Sequence, residues 1–197
     1  MSDDLKRGLE GVLVAESELS FIDGDAGQLV YRGYDIADLA DGASYEEVVY
    51  LLWYGSLPNH DELAEFSSAM AAERSLDEDI HRTIEALADA DENPMAALRT
   101  VVSQLSANDD EATFDAEGVT DREANIRKGR RITAKVPTAL AAFKRHRDGE
   151  DPVEPREDLS HAANFLYMLN DEEPDDVLAD VFDQALVLHA DHGLNAS

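Results

Sequence analysis

Two short apolar runs open the patterned part of the chain, at 19–23 (Leu19-Ser20-Phe21-Ile22-Asp23) and 28–32 (Gln28-Leu29-Val30-Tyr31-Arg32). The turn-rich stretch Gly24-Asp25-Ala26-Gly27 lies between them, which is a hairpin signal. Everything after the second run favours helix. Ser44 precedes Tyr45-Glu46-Glu47 and the apolar run Val48 to Tyr54, so Ser44 is read as an N-cap with Glu47 completing a capping box. Gly55 closes that helix and Pro58 follows. Further helices are predicted over 61–72, 77–88, 94–106, 121–147, 158–169 and 175–192, separated by breakers such as Asn93-Pro94, the acidic stretch 108–115, the segment 148–152 and Glu173-Pro174. Pro137 falls inside the long 121–147 segment, where it should kink or split the helix. The expected architecture is all-α with a short β hairpin at the front.

The predicted last helix has an apolar stripe of Leu178, Phe182, Ala185 and Leu186 that runs into His189 and His192. Residues three apart share a helix face, so both imidazoles are expected on the buried side and able to converge on one small polar ligand. Asn195 follows near the helix end, where Gly193 can take the left-handed conformation. Three readings stay open at this level. The histidines are core residues bonded to carbonyls, or ligands of a zinc ion that would need a third donor, or hydrogen-bond donors to a carboxylate or carbonyl.

Composition narrows the class. At 197 residues with 44% hydrophobic content, one domain with a sizeable core is expected. The absence of cysteine excludes disulfides, thiolate metal sites and cysteine nucleophiles. No apolar leader and no stretch approaching 18 apolar residues is found, so the reading is a soluble, cytoplasmic protein without membrane contact. The 44 Asp and Glu against 16 Lys and Arg give a formal charge of −28, and this argues against nucleic acid as a partner. Because the acids are interleaved with apolar positions, the charge reads as an exposed carboxylate coat suited to a high-salt cytoplasm.

A series of segments in a fixed order then carries a resemblance. It begins with Gly8-Leu9-Glu10-Gly11-Val12, Ile22-Asp23-Gly24 and Tyr31-Arg32-Gly33-Tyr34-Asp35-Ile36. It continues through Glu46-Glu47-Val48, 51–58, Pro94-Met95 with Leu98-Arg99, 134–138 and 164–169, and closes on His189-Ala190-Asp191-His192 with Asn195-Ala196-Ser197. In this order the chain resembles the citrate synthase family over nearly its whole length, and its acidity makes it look like a halophilic archaeal member.

The resemblance implies a multihelical large domain of the citrate synthase type, with 1–197 as a partial large domain and the small domain and C-terminal part lying outside it. It implies condensation of acetyl-CoA with oxaloacetate and water to citrate and CoA. His192 would bind oxaloacetate, with His189 and Asn195 lining or supporting the site; no metal and no tightly bound cofactor is implied, CoA entering as acetyl-CoA substrate. The family's catalytic Asp, two further histidines, substrate-clamping arginines and most CoA-binding loops lie downstream of this motif, so the isolated chain is expected to be inactive. Family members are homodimers, and the apolar helices at 134–143 and 162–169 agree with that. One departure is Gly193, where the family usually carries Glu. The alternatives are a 2-methylcitrate synthase acting on propionyl-CoA, since acyl selectivity depends on residues not in this chain, and a non-catalytic helical binding module. The basic clusters 127–131 and 144–147 are read as partners of nearby carboxylates in preference to CoA phosphates.

Overall fold

A computed structural model of the chain describes residues 17–108 and 122–193. Three short strands, β1 (Ser20–Asp23), β2 (Gln28–Tyr31) and β3 (Tyr34–Asp35), form one antiparallel sheet in sequence order. Eight helices follow: α1 (Ile36–Gly42), α2 (Tyr45–Tyr54), α3 (His60–Ala71), α4 (Glu78–Asp89), α5 (Pro94–Leu105), α6 (Arg122–Asp148), α7 (His161–Asn170) and α8 (Asp176–Leu188). A short 3-10 turn, Ser106–Asn108, extends α5. The chain is therefore mainly helical with a small front sheet, as its pattern predicts.

The front of the molecule is built by one motif. Arg32 and Gly33 both take positive φ, +49° and +91°, between the paired Tyr31 and Tyr34. This two-residue left-handed turn matches the right-handed twist of its strands, so it folds β3 back on β2. Asp35 then caps α1 by accepting from the Ala37 N–H at 2.9 Å. Neither β3 nor α1 is apparent from the hydrophobic pattern, because a two-residue strand and a seven-residue helix are too short to show a period.

The capping box read at Ser44 is present. Ser44 Oγ accepts from the Glu47 N–H, and Glu47 returns a carboxylate to the Ser44 N–H at 2.7 Å. Gly55 ends α2 at φ +92°. Pro137 does not split the long helix: α6 runs unbroken from Arg122 to Asp148. Buried Ala134, Thr138, Ala139, Ala142 and Phe143 straddle the proline, and packing against α4, α5 and α7 holds together turns that the lost N–H would otherwise weaken.

Two principal cores result. Ile80 and Ile84 of α4, Ala97 and Val101 of α5, and Ala139 and Phe143 of α6 make one. Tyr31, Leu39, Val48, Leu51, Leu52 and Val187 make the other, which clamps the front sheet, α1, α2 and α8 together. A third, smaller cluster of Val49, Phe66 and Met70 seats α3 on α2.

Candidate functional site

The last helix ends earlier than its stripe predicts. α8 stops at Leu188, His189 is its C-cap at φ −113°, and residues 190–193 are not helical. His189 and His192 therefore do not share a helix face, and neither is in the core: both are exposed. The reading of a buried histidine pair is corrected on both counts. His189 turns back on its own helix, with Nδ1 2.7 Å from the Ala185 carbonyl. A carbonyl only accepts, so Nδ1 carries a proton and is the donor. The His192 ring has no hydrogen-bond partner among the described residues and is open to solvent. Asn195 lies outside the described residues.

The cause of the early stop lies in the front sheet. The hydroxyl of fully buried Tyr31 lies 3.1 Å from the Asp191 carbonyl and 3.4 Å from that of Leu188, and it accepts from the Asp191 N–H at 3.3 Å. Ser20 Oγ donates to Asp191 Oδ2 at 2.5 Å, and the same carboxylate oxygen accepts from the Gly193 N–H at 2.9 Å. These bonds satisfy backbone groups that one more helical turn would have used. Gly193 does take the left-handed conformation, at φ +75°, but in the turn beyond the helix and not at its immediate end. Beyond its chain neighbours, no atom of the described residues lies within 4 Å of where a Cβ would stand, so the backbone angle, not space, is what glycine supplies there.

A second polar cluster, invisible to the sequence reading, lies where α2, α7 and α8 meet. Glu46 is buried, and its Oε1 accepts from the N–H of His161, the first residue of α7, at 2.8 Å. Asp183 Oδ2 accepts from the N–H of Tyr45, the first residue of α2, at 3.0 Å. The His161 ring stacks at a tilt on Tyr45, centroids 5.0 Å apart, and buried Arg74 donates to the carbonyls of Arg156 and Leu159. Burial pushes Asp183 up to about 6, helped by the charge of Glu46 and opposed by the Tyr45 hydrogen bond. Burial, with the nearby Arg74 cation, holds His161 down at about 4. Burial, with the charges of Glu46 and Asp183, raises the Tyr45 phenol to about 12. The signal that could have revealed the cluster is the spacing of Glu46 ahead of Val49, which puts it on the buried face of α2.

The basic clusters find carboxylates, as their composition suggests. Lys144 pairs with Asp148 one turn on, Arg145 with Glu150 at 3.2 Å, Arg147 with Asp91 at 2.8 Å and Arg130 with Glu73 at 3.5 Å. Among the described residues no three His, Asp or Glu side chains are grouped to hold a metal ion, and no helix is long and apolar enough to cross a membrane.

The comparisons with known proteins agree with this layout. The family model "Citrate synthase, C-terminal domain" matches residues 8–197. This chain belongs to the citrate synthase family. A citrate synthase of Haloferax volcanii is 67% identical over 197 residues, all of this chain and 52% of that protein. The crystal structure of citrate synthase from Pyrobaculum aerophilum superposes with a TM-score of 0.87 at 39% identity, covering 95% of this chain and 47% of that one. A protein named 2-methylcitrate synthase, from Mycobacterium tuberculosis, is 38% identical over 98% of this chain and 47% of its own length. The chain thus spans about half the length of the citrate synthases it matches, and its helices and front sheet are those of the family fold.

Proposed function

We propose that this chain is part of the large domain of a citrate synthase, which joins acetyl-CoA to oxaloacetate and, with water, releases citrate and CoA, and that it contributes His192 to the oxaloacetate site. The observation that carries the reading is the exposed His192 ring, which no described residue occupies, on a turn braced by Tyr31 and Ser20 in a chain 67% identical to a citrate synthase. A keto diacid needs donors at its carboxylates and at the carbonyl oxygen that gains charge during attack. His192 supplies one without first breaking an internal bond. The His189 ring already spends Nδ1 on the Ala185 carbonyl of its own helix, so it supports the turn. Asn195 is assigned to the same site on the family motif alone.

Acetyl-CoA is favoured over propionyl-CoA because the relative of higher identity is named citrate synthase. CoA acts as a substrate in this reading, with no tightly bound cofactor and no metal. A homodimer in the cytoplasm of a halophile fits the apolar side chains left in the open on α8, Val177 at 71% and Val181 at 59% exposure, and the −28 charge. The deciding experiment is His192→Ala in a citrate synthase of full length that carries these residues. Loss of one substrate-binding donor to a charged group is expected to raise the oxaloacetate KM by about tenfold or more, with the acetyl-CoA KM unchanged. An oxaloacetate KM that stays at the wild-type value would overturn the assignment.

A further inference from the structure

Ser20 and Tyr31 are directly opposite one another in the β1–β2 ladder. Paired residues of an antiparallel sheet present their side chains on the same face, and here both hydroxyls reach one residue, Asp191. Tyr31 takes its backbone: the phenol oxygen lies 3.1 Å from the Asp191 carbonyl and accepts from the Asp191 N–H at 3.3 Å. Ser20 takes its side chain, donating to Oδ2 at 2.5 Å, and that oxygen also gathers the Gly193 N–H. His192 lies between Asp191 and Gly193, so both of its neighbours are fixed while its own ring is left free.

No regular secondary structure holds residues 190–193, and their described hydrogen bonds run to Tyr31, to Ser20, within the turn and back to Val187. Tyr31 is in turn immobilised in the core it shares with Val187 and Leu51. A fully buried phenol with two polar partners has little freedom to wander, and a rigid support is what a ligand-binding ring on an irregular turn requires.

We propose that Tyr31 and Ser20 are positioning residues for His192, acting through Asp191, so that the front sheet sets where the imidazole meets oxaloacetate. The inference rests on the reading of His192 as an oxaloacetate ligand. The hydroxyls touch no substrate; they fix the backbone on both sides of the ring that does. Asp191 links the two histidines to the sheet, and its charge is used internally.

The test uses the full-length enzyme carrying these residues, with Tyr31→Phe, Ser20→Ala, Asp191→Asn and His192→Ala, and Tyr31→Phe combined with His192→Ala. Each is assayed for the KM of both substrates, for kcat and for its melting temperature. Tyr31→Phe keeps the ring and removes one oxygen. It is expected to raise the oxaloacetate KM about fivefold, the worth of a typical hydrogen bond, and to leave the acetyl-CoA KM unchanged. In the His192→Ala background the same change is expected to add nothing to the oxaloacetate KM, because the ring it positions is gone. Ser20→Ala, at a partly exposed position, is expected to move the oxaloacetate KM in the same direction by a smaller factor. If His192→Ala raises that KM while Tyr31→Phe, Ser20→Ala and Asp191→Asn all keep the wild-type value, the positioning role is refuted and the His192 assignment survives. If His192→Ala itself has no effect, the functional reading fails and the inference falls with it. A Tyr31→Phe enzyme that weakens both substrates equally and still does so without His192 would show a general folding role and overturn the proposal.

Discussion

Asp183 on α8 accepts a hydrogen bond from the backbone N–H of Tyr45 at 3.0 Å, so one helix supplies the anion at the N-terminus of another. The favourable contact comes with a penalty, since the same carboxylate is partly desolvated and faces Glu46, Asp180 and Glu47. The folded-state value of about 6 lies above the ordinary 3.8. Between those limits the folded chain binds more protons than the unfolded one, and this group's contribution to stability falls as pH rises through the window. Asp183→Asn keeps an oxygen for Tyr45 and removes the charge. It is expected to be more stable than wild type at pH 7.5, by about 1 kcal/mol once partial exposure is discounted, and to lose that advantage below about pH 4. Urea unfolding across this range checks both statements.

His161 produces the opposite slope. Its ring is buried against Tyr45, with Arg74 as the nearby cation and Glu46 bonded to its backbone N–H. Folded at about 4 and ordinarily at 6.5, it binds protons more readily when unfolded, so the chain loses stability as pH falls from 6.5 toward 4, by about 3 kcal/mol. His161→Phe retains an aromatic ring and should abolish that loss. In wild type the two slopes oppose each other. Each single variant should therefore expose the other's, Asp183→Asn steepening the acid loss and His161→Phe reversing it, in the same urea series.

Gly193 stands just beyond the bonded Asp191, and its backbone angle shows what glycine supplies there. A Cβ at φ +75° meets no neighbour but carries the intrinsic cost of the left-handed region, about 1 kcal/mol. Gly193→Ala and Gly193→Glu are expected to lower the melting temperature by about 2–4 °C. Amide exchange at 191–193 should quicken about fivefold as the bond to Asp191 Oδ2 opens more often. Unchanged exchange would mean that the turn tolerates a side chain without rearranging.

Salt should act on the whole surface. With a net charge of −28 and cations such as Lys144, Arg145, Arg147 and Arg156 already engaged in ion pairs, the 44 carboxylates far outnumber the 16 cations that could pair with them. Molar salt cuts the screening length from about 10 Å at 0.1 M to about 3 Å. The unfolding midpoint is expected to rise steadily from dilute buffer to molar KCl. A midpoint that does not move would contradict the carboxylate-repulsion account.

Local chemistry was the legible part of this fold. The first hairpin, the Ser44–Glu47 capping box, the Gly55 stop and the start of α5 at Pro94 all depend on neighbours within about a dozen residues, and all are found where the pattern puts them. The errors have distant causes. α8 reads as longer than it is because Ala185 and Leu186 lead smoothly to His189, while the residue that halts it, Tyr31, is 157 positions from Leu188. Pro137 carries a local rule that packing on both sides overrides. Glu46 resembles any acid in a first helical turn until α7 packs its N-terminus against it. Of the candidate site, the resemblance located His192 and His189, and the structure supplied their different surroundings. Asp191, Tyr31 and Ser20 carried no chemical signal, since their role exists only once the two ends of the described chain meet.

That meeting has a consequence for the order of assembly. The bond between Ser20 and Asp191 closes a loop of 171 residues, among the longest separations the chain can make. Contacts of such reach form late, because the entropy of closing them is recovered only after the intervening helices have condensed. On the ribosome the hairpin emerges first and must wait, unmatched, for α8. The turn that carries His189 and His192 therefore takes its shape only after α8 has docked on the front sheet, since its bonds run to Tyr31 and Ser20.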